Sequence, residues 1–131
     1  MLRKISTVCL MAAMMALAGC TSVQIATPES LNNQKLAAGP EQNVAHVNAS
    51  TWGLYCLSIP LLTGDSDKEN SIAVCQDTVN VKTMAALATR KGKEMGGTKS
   101  LDMVSSATTV WIMPFLVIFY KSVEVSANAV K

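Results

Sequence analysis

Residues 122–129 read Ser-Val-Glu-Val-Ser-Ala-Asn-Ala, with Val123, Val125, Ala127 and Ala129 alternating against Ser122, Glu124, Ser126 and Asn128. A period of two sends every second side chain to one face, so the stretch predicts a strand with one face in a core and the other in water. Working back along the chain, Leu101, Met103 and Ser105 alternate with Asp102 and Val104, and Lys99 to Thr109 predicts a second principal strand. Before it, Val81, Met84, Ala85, Ala88 and Met95 fall near one helical face, while Lys82, Arg90 and Lys93 lie largely outside it. This predicts a helix capped by Asn80 and running to about Met95. Gly96-Gly97 ends it, because glycine accepts the left-handed backbone of a helix C-cap. Arg90, Lys91 and Lys93 sit in the last turns, where positive charge suits the helix dipole, a use that outweighs an anion site. Further back, the apolar and aromatic run Trp52 to Ile59 predicts a strand ended by Pro60. Thr63-Gly64-Asp65-Ser66-Asp67 is turn chemistry, and Ser71 to Gln76 predicts a short strand. These pieces assemble into a small α+β domain over residues 51–131, a two-layer βαββ arrangement with one helix on an antiparallel sheet.

Between the two last strands, Val110 to Tyr120 carries no charge. It is too short for a membrane helix, which needs roughly 20 residues, and Pro114 interrupts it. One reading is a pair of buried strand ends joined by a bend at Pro114. The other is an exposed apolar loop in which Trp111, Ile112, Phe115 and Leu116 touch a bilayer or a partner protein.

The other end of the chain is organised differently. Arg3 and Lys4 are followed by an apolar stretch from Ile5 to Leu17 interrupted only by Ser6 and Thr7, and the segment closes in Leu17-Ala18-Gly19-Cys20. A charged start, a short apolar core and small residues at the end mark residues 1–19 as a secretory signal. Leu17-Ala18-Gly19-Cys20 resembles the bacterial lipobox. That resemblance implies a diacylglycerol on the Cys20 thiol, cleavage between Gly19 and Cys20, and acylation of the new amine, with palmitate a representative chain. Each buried methylene adds about 0.8 kcal/mol, so two or more chains anchor stably. By resemblance to enterobacterial lipoproteins, Thr21 in place of Asp after the Cys implies sorting to the outer membrane, facing the periplasm or the cell surface. The rival is ordinary cleavage after Ala16-Leu17-Ala18, which releases a soluble periplasmic protein. From Cys20 to Ser50 the chain is rich in Ser, Thr, Asn, Gln, Ala and Pro, with isolated apolar residues, and it predicts a flexible tether.

The 131-residue chain holds 11 Lys+Arg and 9 Asp+Glu. Arg3 and Lys4 leave with the signal, so the remainder is formally neutral and lacks the basic surplus a nucleic-acid binder uses. With Cys9 removed and Cys20 lipidated, Cys56 and Cys75 form an even pair in an oxidising compartment. A bridge between them is the simplest use, worth about 3 kcal/mol for a loop of this size, with separate buried thiols as the alternative. No C-x-x-C supports redox chemistry or haem attachment. The one histidine, His46, has no Cys or carboxylate cluster near it in sequence, so neither a metal site nor a Ser–His or Cys–His nucleophile is expected. Asp65 to Gln76 lacks the glycine and terminal glutamate of a calcium loop. No cofactor motif is present, and an enzyme is not expected.

The layout of lipobox Cys20, turn Thr63-Gly64-Asp65, helix Ala85 to Gly97 and paired strands in Ser100 to Val130 resembles small uncharacterised bacterial lipoproteins of the TRL-like kind, and more distantly the phage-encoded Bor lipoproteins. The resemblance covers the last seventy or so residues, with a longer charged segment here between the turn and the helix. It implies a cell-envelope location and carries no catalytic residues. The expected protein is a non-enzymatic, membrane-anchored lipoprotein with a structural or binding role. The alternative is a membrane-contacting or envelope-complex assembly component acting through residues 110–120.

Overall fold

The computed structural model describes residues 21–32, 40–66, 71–113 and 117–131. Expectations for the signal, Gly19, Cys20, Pro114, Phe115 and Leu116 fall outside these residues. The chain runs β1 (Thr21–Ala26), a 3-10 turn (Glu29–Leu31), β2 (Asn43–Cys56), β3 (Ile59–Gly64), β4 (Ile72–Val74), α1 (Val81–Glu94), β5 (Lys99–Met113) and β6 (Ile118–Val130). One antiparallel sheet of six strands has the order β4-β3-β2-β6-β5. On the edge of β2 away from β6, β1 pairs with Ala49 and its neighbours, while β3 takes over from Gly53 onward. α1 packs on β2, β6 and β5, so the expected α+β two-layer βαββ core is present, enlarged by β1, β3 and β4.

Alternation explains the layers. The inward face of β2 carries Ala45, Val47, Ala49, Thr51 and Tyr55, all buried, and β6 adds Val123, Val125, Ala127 and Ala129. Met84, Leu87 and Ala88 of α1 close this core from above. Small alanines let the helix approach: a Cβ on Gly92 would lie 3.1 Å from the Ala129 Cβ, and one on Gly97 would lie 3.0 Å from it.

The helix ends follow from their residues. Asn80 accepts a hydrogen bond from the Thr83 backbone N–H at 2.9 Å, satisfying one of the otherwise unpaired first-turn donors. At the other end the Gly97 N–H donates to Gly92 O and the Gly96 N–H to Lys93 O, with Gly96 at φ 90°. This is the Schellman closure that Gly-Gly predicts. The inward face differs from expectation at its extremes. Val81 and Met95 are exposed, and Leu87 and Gly92 are buried in their place, because the helix meets the sheet through its middle turns.

Two boundaries need correction. The tether expected over residues 20–50 instead contains β1 and the first half of β2, so the folded unit does not begin at residue 51. The segment has the period of a strand, but apart from Val47 its inward residues are Ala45, Ala49 and Thr51, too small or too polar to stand out as a hydrophobic pattern. Cross-strand hydroxyl pairs join it to β1: Thr21 Oγ1 lies 3.1 Å from Thr51 Oγ1, and Ser22 Oγ lies 2.9 Å from Ser50 Oγ. Pro60 does not end a strand either. Leu57-Ser58 makes the turn, and Pro60 sits in β3 opposite Tyr55, beside a register shift at Leu54/Tyr55 where the ladder is already broken.

Candidate functional site

The sheet has a polar half and an apolar half. β2 runs from one to the other, and its face away from α1 carries His46, Asn48 and Ser50 followed by Trp52 and Leu54.

In the polar half, His46 Nδ1 lies 2.7 Å from Asn128 Oδ1, and Asn128 Nδ2 donates to Asp102 Oδ2 at 3.1 Å. Asn48 Nδ2 donates to Glu124 Oε1 at 2.7 Å. His46 is therefore a sheet residue held between strands, where the sequence put it in a tether. A histidine oriented by an amide resembles part of a nucleophile system. A thiol partner for it is remote, since Cys56 lies ten residues further along β2, about 33 Å away. Among the described residues no cluster of three or more His, Cys, Asp or Glu is placed to hold a metal ion.

Cys56 and Cys75 are not bridged, which corrects the expected disulfide. Cys56 closes β2 and Cys75 follows β4, with β3 between them. Two strand spacings amount to about 10 Å, beyond the roughly 7 Å that a disulfide spans between Cα atoms.

The apolar half gathers large side chains that water reaches. Leu57 and Ile59 flank the β2–β3 turn at 60% exposure each, and Leu61, Leu62 and Val74 continue the patch across β3 and β4. The end of β5 adds Val110, Trp111 at 58% and Ile112 at 49%. Val110 to Met113 and Ile118 to Tyr120 form the ends of paired strands on either side of residues 114–116, and Val110, Trp111 and Ile112 are exposed. Trp111 and Ile112 are therefore exposed, but on a strand and not in a loop. The additional exposed residues on β3 and β4 were not singled out from sequence, because Leu57 to Leu62 reads equally well as a buried strand.

Aromatic rings stiffen this half. On the helix side Tyr55 stacks on Phe119 with centroids 5.3 Å apart, and Trp111 leans on Phe119 at 5.3 Å. On the opposite side Trp52 and Tyr120 lie 5.7 Å apart. The Tyr55 hydroxyl donates to Asp77 Oδ1 at 2.6 Å. Burial, then the hydrogen bond and the negative charge of Asp77, push this phenol well above its ordinary value. Lys121 Nζ sits 5.7 Å from the same ring centroid.

A shallow groove along the outer side of α1 is lined by Ala85, Ala86, Thr89, Arg90, Lys93 and Glu94. It is open to solvent, and Lys91 nearby pairs with Glu94 at 3.1 Å. No described helix is long and apolar enough to cross a membrane.

The geometry positions the apolar half relative to the chain start. Thr21 is fully buried and pairs with Thr51, and β1 runs from there toward His46. Followed backward, β1 therefore points at the apolar half, whose limit at Cys56 is five residues beyond Thr51, about 17 Å. No known protein family, curated protein or solved structure matches this chain.

Proposed function

We propose that the chain is a non-enzymatic lipoprotein of a bacterial cell envelope, held by lipid on Cys20, whose domain binds through the apolar end of its sheet. The lipobox-like Leu17-Ala18-Gly19-Cys20 and the TRL-like layout support the anchor and the outer-membrane address. The observation that carries the binding role is the exposure of Leu57, Ile59, Val74, Val110, Trp111 and Ile112, all toward one end of the sheet. So many large apolar side chains in water at one end of the sheet cost solubility, which an interaction surface explains.

A bilayer contact is the occupant the anchor favours. Cys20 is bonded to Thr21, so the residue that would carry the lipid is one Cα step, about 3.8 Å, from a residue buried in the fold. A domain attached so closely has little freedom to stand off the surface. An envelope protein partner docking on the same patch is the second reading.

Labelled palmitate tests the anchor: the full chain takes up label in bacterial cells and Cys20→Ala does not, whereas label retained in the variant overturns the lipidation. Flotation of the unlipidated chain with anionic vesicles tests the surface. Trp111→Ser with Ile112→Ser is expected to reduce the floating fraction several-fold, and an unchanged fraction assigns the patch to a protein partner.

A further inference from the structure

The outer edge of β5 is the longest strand edge of the sheet, and among the described residues no strand pairs with it. The opposite margin is closed by the three-residue β4 and the six-residue β1, whereas β5 runs for fifteen residues. Soluble proteins usually blunt such an edge with lysine, proline, bulges or a covering loop. Here the irregularities lie at the two ends, between Leu101 and Val104 and between Trp111 and Met113. Val104 to Trp111 between them is in unbroken register with β6, exposed at every residue, and free of charge, glycine and proline.

The composition of that stretch is symmetric. Val104-Ser105-Ser106-Ala107-Thr108-Thr109-Val110 reads, by side-chain type, the same in both directions about Ala107. An antiparallel strand pair centred on Ala107 therefore sets like against like. Val104 meets the second copy's Val110, Ser105 its Thr109, Ser106 its Thr108, and Ala107 its own equivalent. Residues directly opposite share a face of the sheet, and each of these pairs keeps that parity, so both helices stay on the same side. β-Branched pairs and Ser–Thr pairs are favourable cross-strand neighbours. The charged Asp102 and Lys99 fall at or beyond the second copy's Ile112, so no like charges meet.

We propose that two copies of the chain join edge to edge through β5, antiparallel about Ala107, into one continuous sheet of twelve strands. About six to eight backbone hydrogen bonds would form across the seven-residue pair, from groups that otherwise face water. A second copy is the occupant because the edge complements itself, which a foreign strand would do only by chance. The inference does not rest on the lipid anchor, and Val110 and Trp111 belong both to this edge and to the apolar end of the sheet.

Cysteine placement tests both the pairing and its register. In a full chain carrying Cys56→Ser and Cys75→Ser, Ala107→Cys brings the two new sulfurs together across the axis, within disulfide reach. Ser106→Cys and Thr108→Cys each leave the equivalent positions about two residues out of line. Mild oxidation in membranes or detergent is expected to give a covalent dimer for Ala107→Cys, in several-fold excess over the other two. Ala107→Lys, which sets ammonium groups face to face, is expected to leave a folded monomer in sedimentation equilibrium. A monomeric unsubstituted chain overturns the proposal. So does equal cross-linking at all three positions, or a link from position 107 only to a different polypeptide.

Discussion

At Gly53 two elements come closer than a side chain permits. A Cβ built there would lie 2.8 Å from Thr63 Cγ2 and 2.9 Å from Val79 Cγ2, with the Leu62 carbonyl at 3.1 Å. Thr63 is itself held, since its hydroxyl donates to Gln76 O at 2.7 Å and accepts from the Thr78 hydroxyl at 3.0 Å. Gly53→Ala is therefore expected to destabilise by about 1–3 kcal/mol, read as a lower urea midpoint with an unchanged slope. Tyr55 is coupled to pH instead. Folding favours its neutral phenol, so its contribution is complete below the unfolded value of 10.0 and is lost as pH rises above that value. Unfolding monitored between pH 9 and 12 should steepen above pH 10, and Tyr55→Phe should remove part of that slope while costing about 1 kcal/mol at neutral pH. A slope unaltered by the substitution would leave the Asp77 contact without an energetic role.

Each element draws its stability from a different source. α1 is closed at both ends by side-chain and backbone caps, and Asn80→Ala should cost about 1 kcal/mol in thermal or urea unfolding. The first half of β2 has little large apolar surface of its own, and β6 pairs along nearly all of the strand, from Asn43 to Cys56. The β2–β3–β4 meander separates Cys56 from Cys75. Replacing both by serine should therefore change stability by less than about 1 kcal/mol, whereas loss of a bridge would cost 2–5 kcal/mol. Mass mapping without reductant should show both positions alkylated after denaturation.

For the whole molecule, the central consequence is that the folded unit reaches back to Thr21. Hydrogen exchange should find the amides of Thr21–Ala26 protected well beyond solvent-exposed coil, because β1 is paired to β2 and Thr21 is buried. Exchange of that segment at coil rates would restore the tether. If protection is found, a lipid on Cys20 would sit flush against the sheet, and orientation at the membrane would follow from the fold.

The chain's order of residues was sufficient for several features. The alternation of Val123 to Ala129, the Asn80 cap, the Gly-Gly stop and the brief strand around Ile72–Val74 are encoded within a few neighbours, since periodicity and capping are local physics. Most of an α+β layout was legible from those. What required the tertiary structure depends on distant partners. Thr21 becomes a strand residue only because Thr51 stands beside it, and Ala45 and Ala49 become core only because Met84, Leu87 and Ala88 cover that face. Cys56 and Cys75 remain apart because β3 passes between them, and Val110 to Ile112 is exposed because its strand is the last in the sheet. Whether an apolar residue is buried is decided by what packs against it, and a linear chain does not state its neighbours in space.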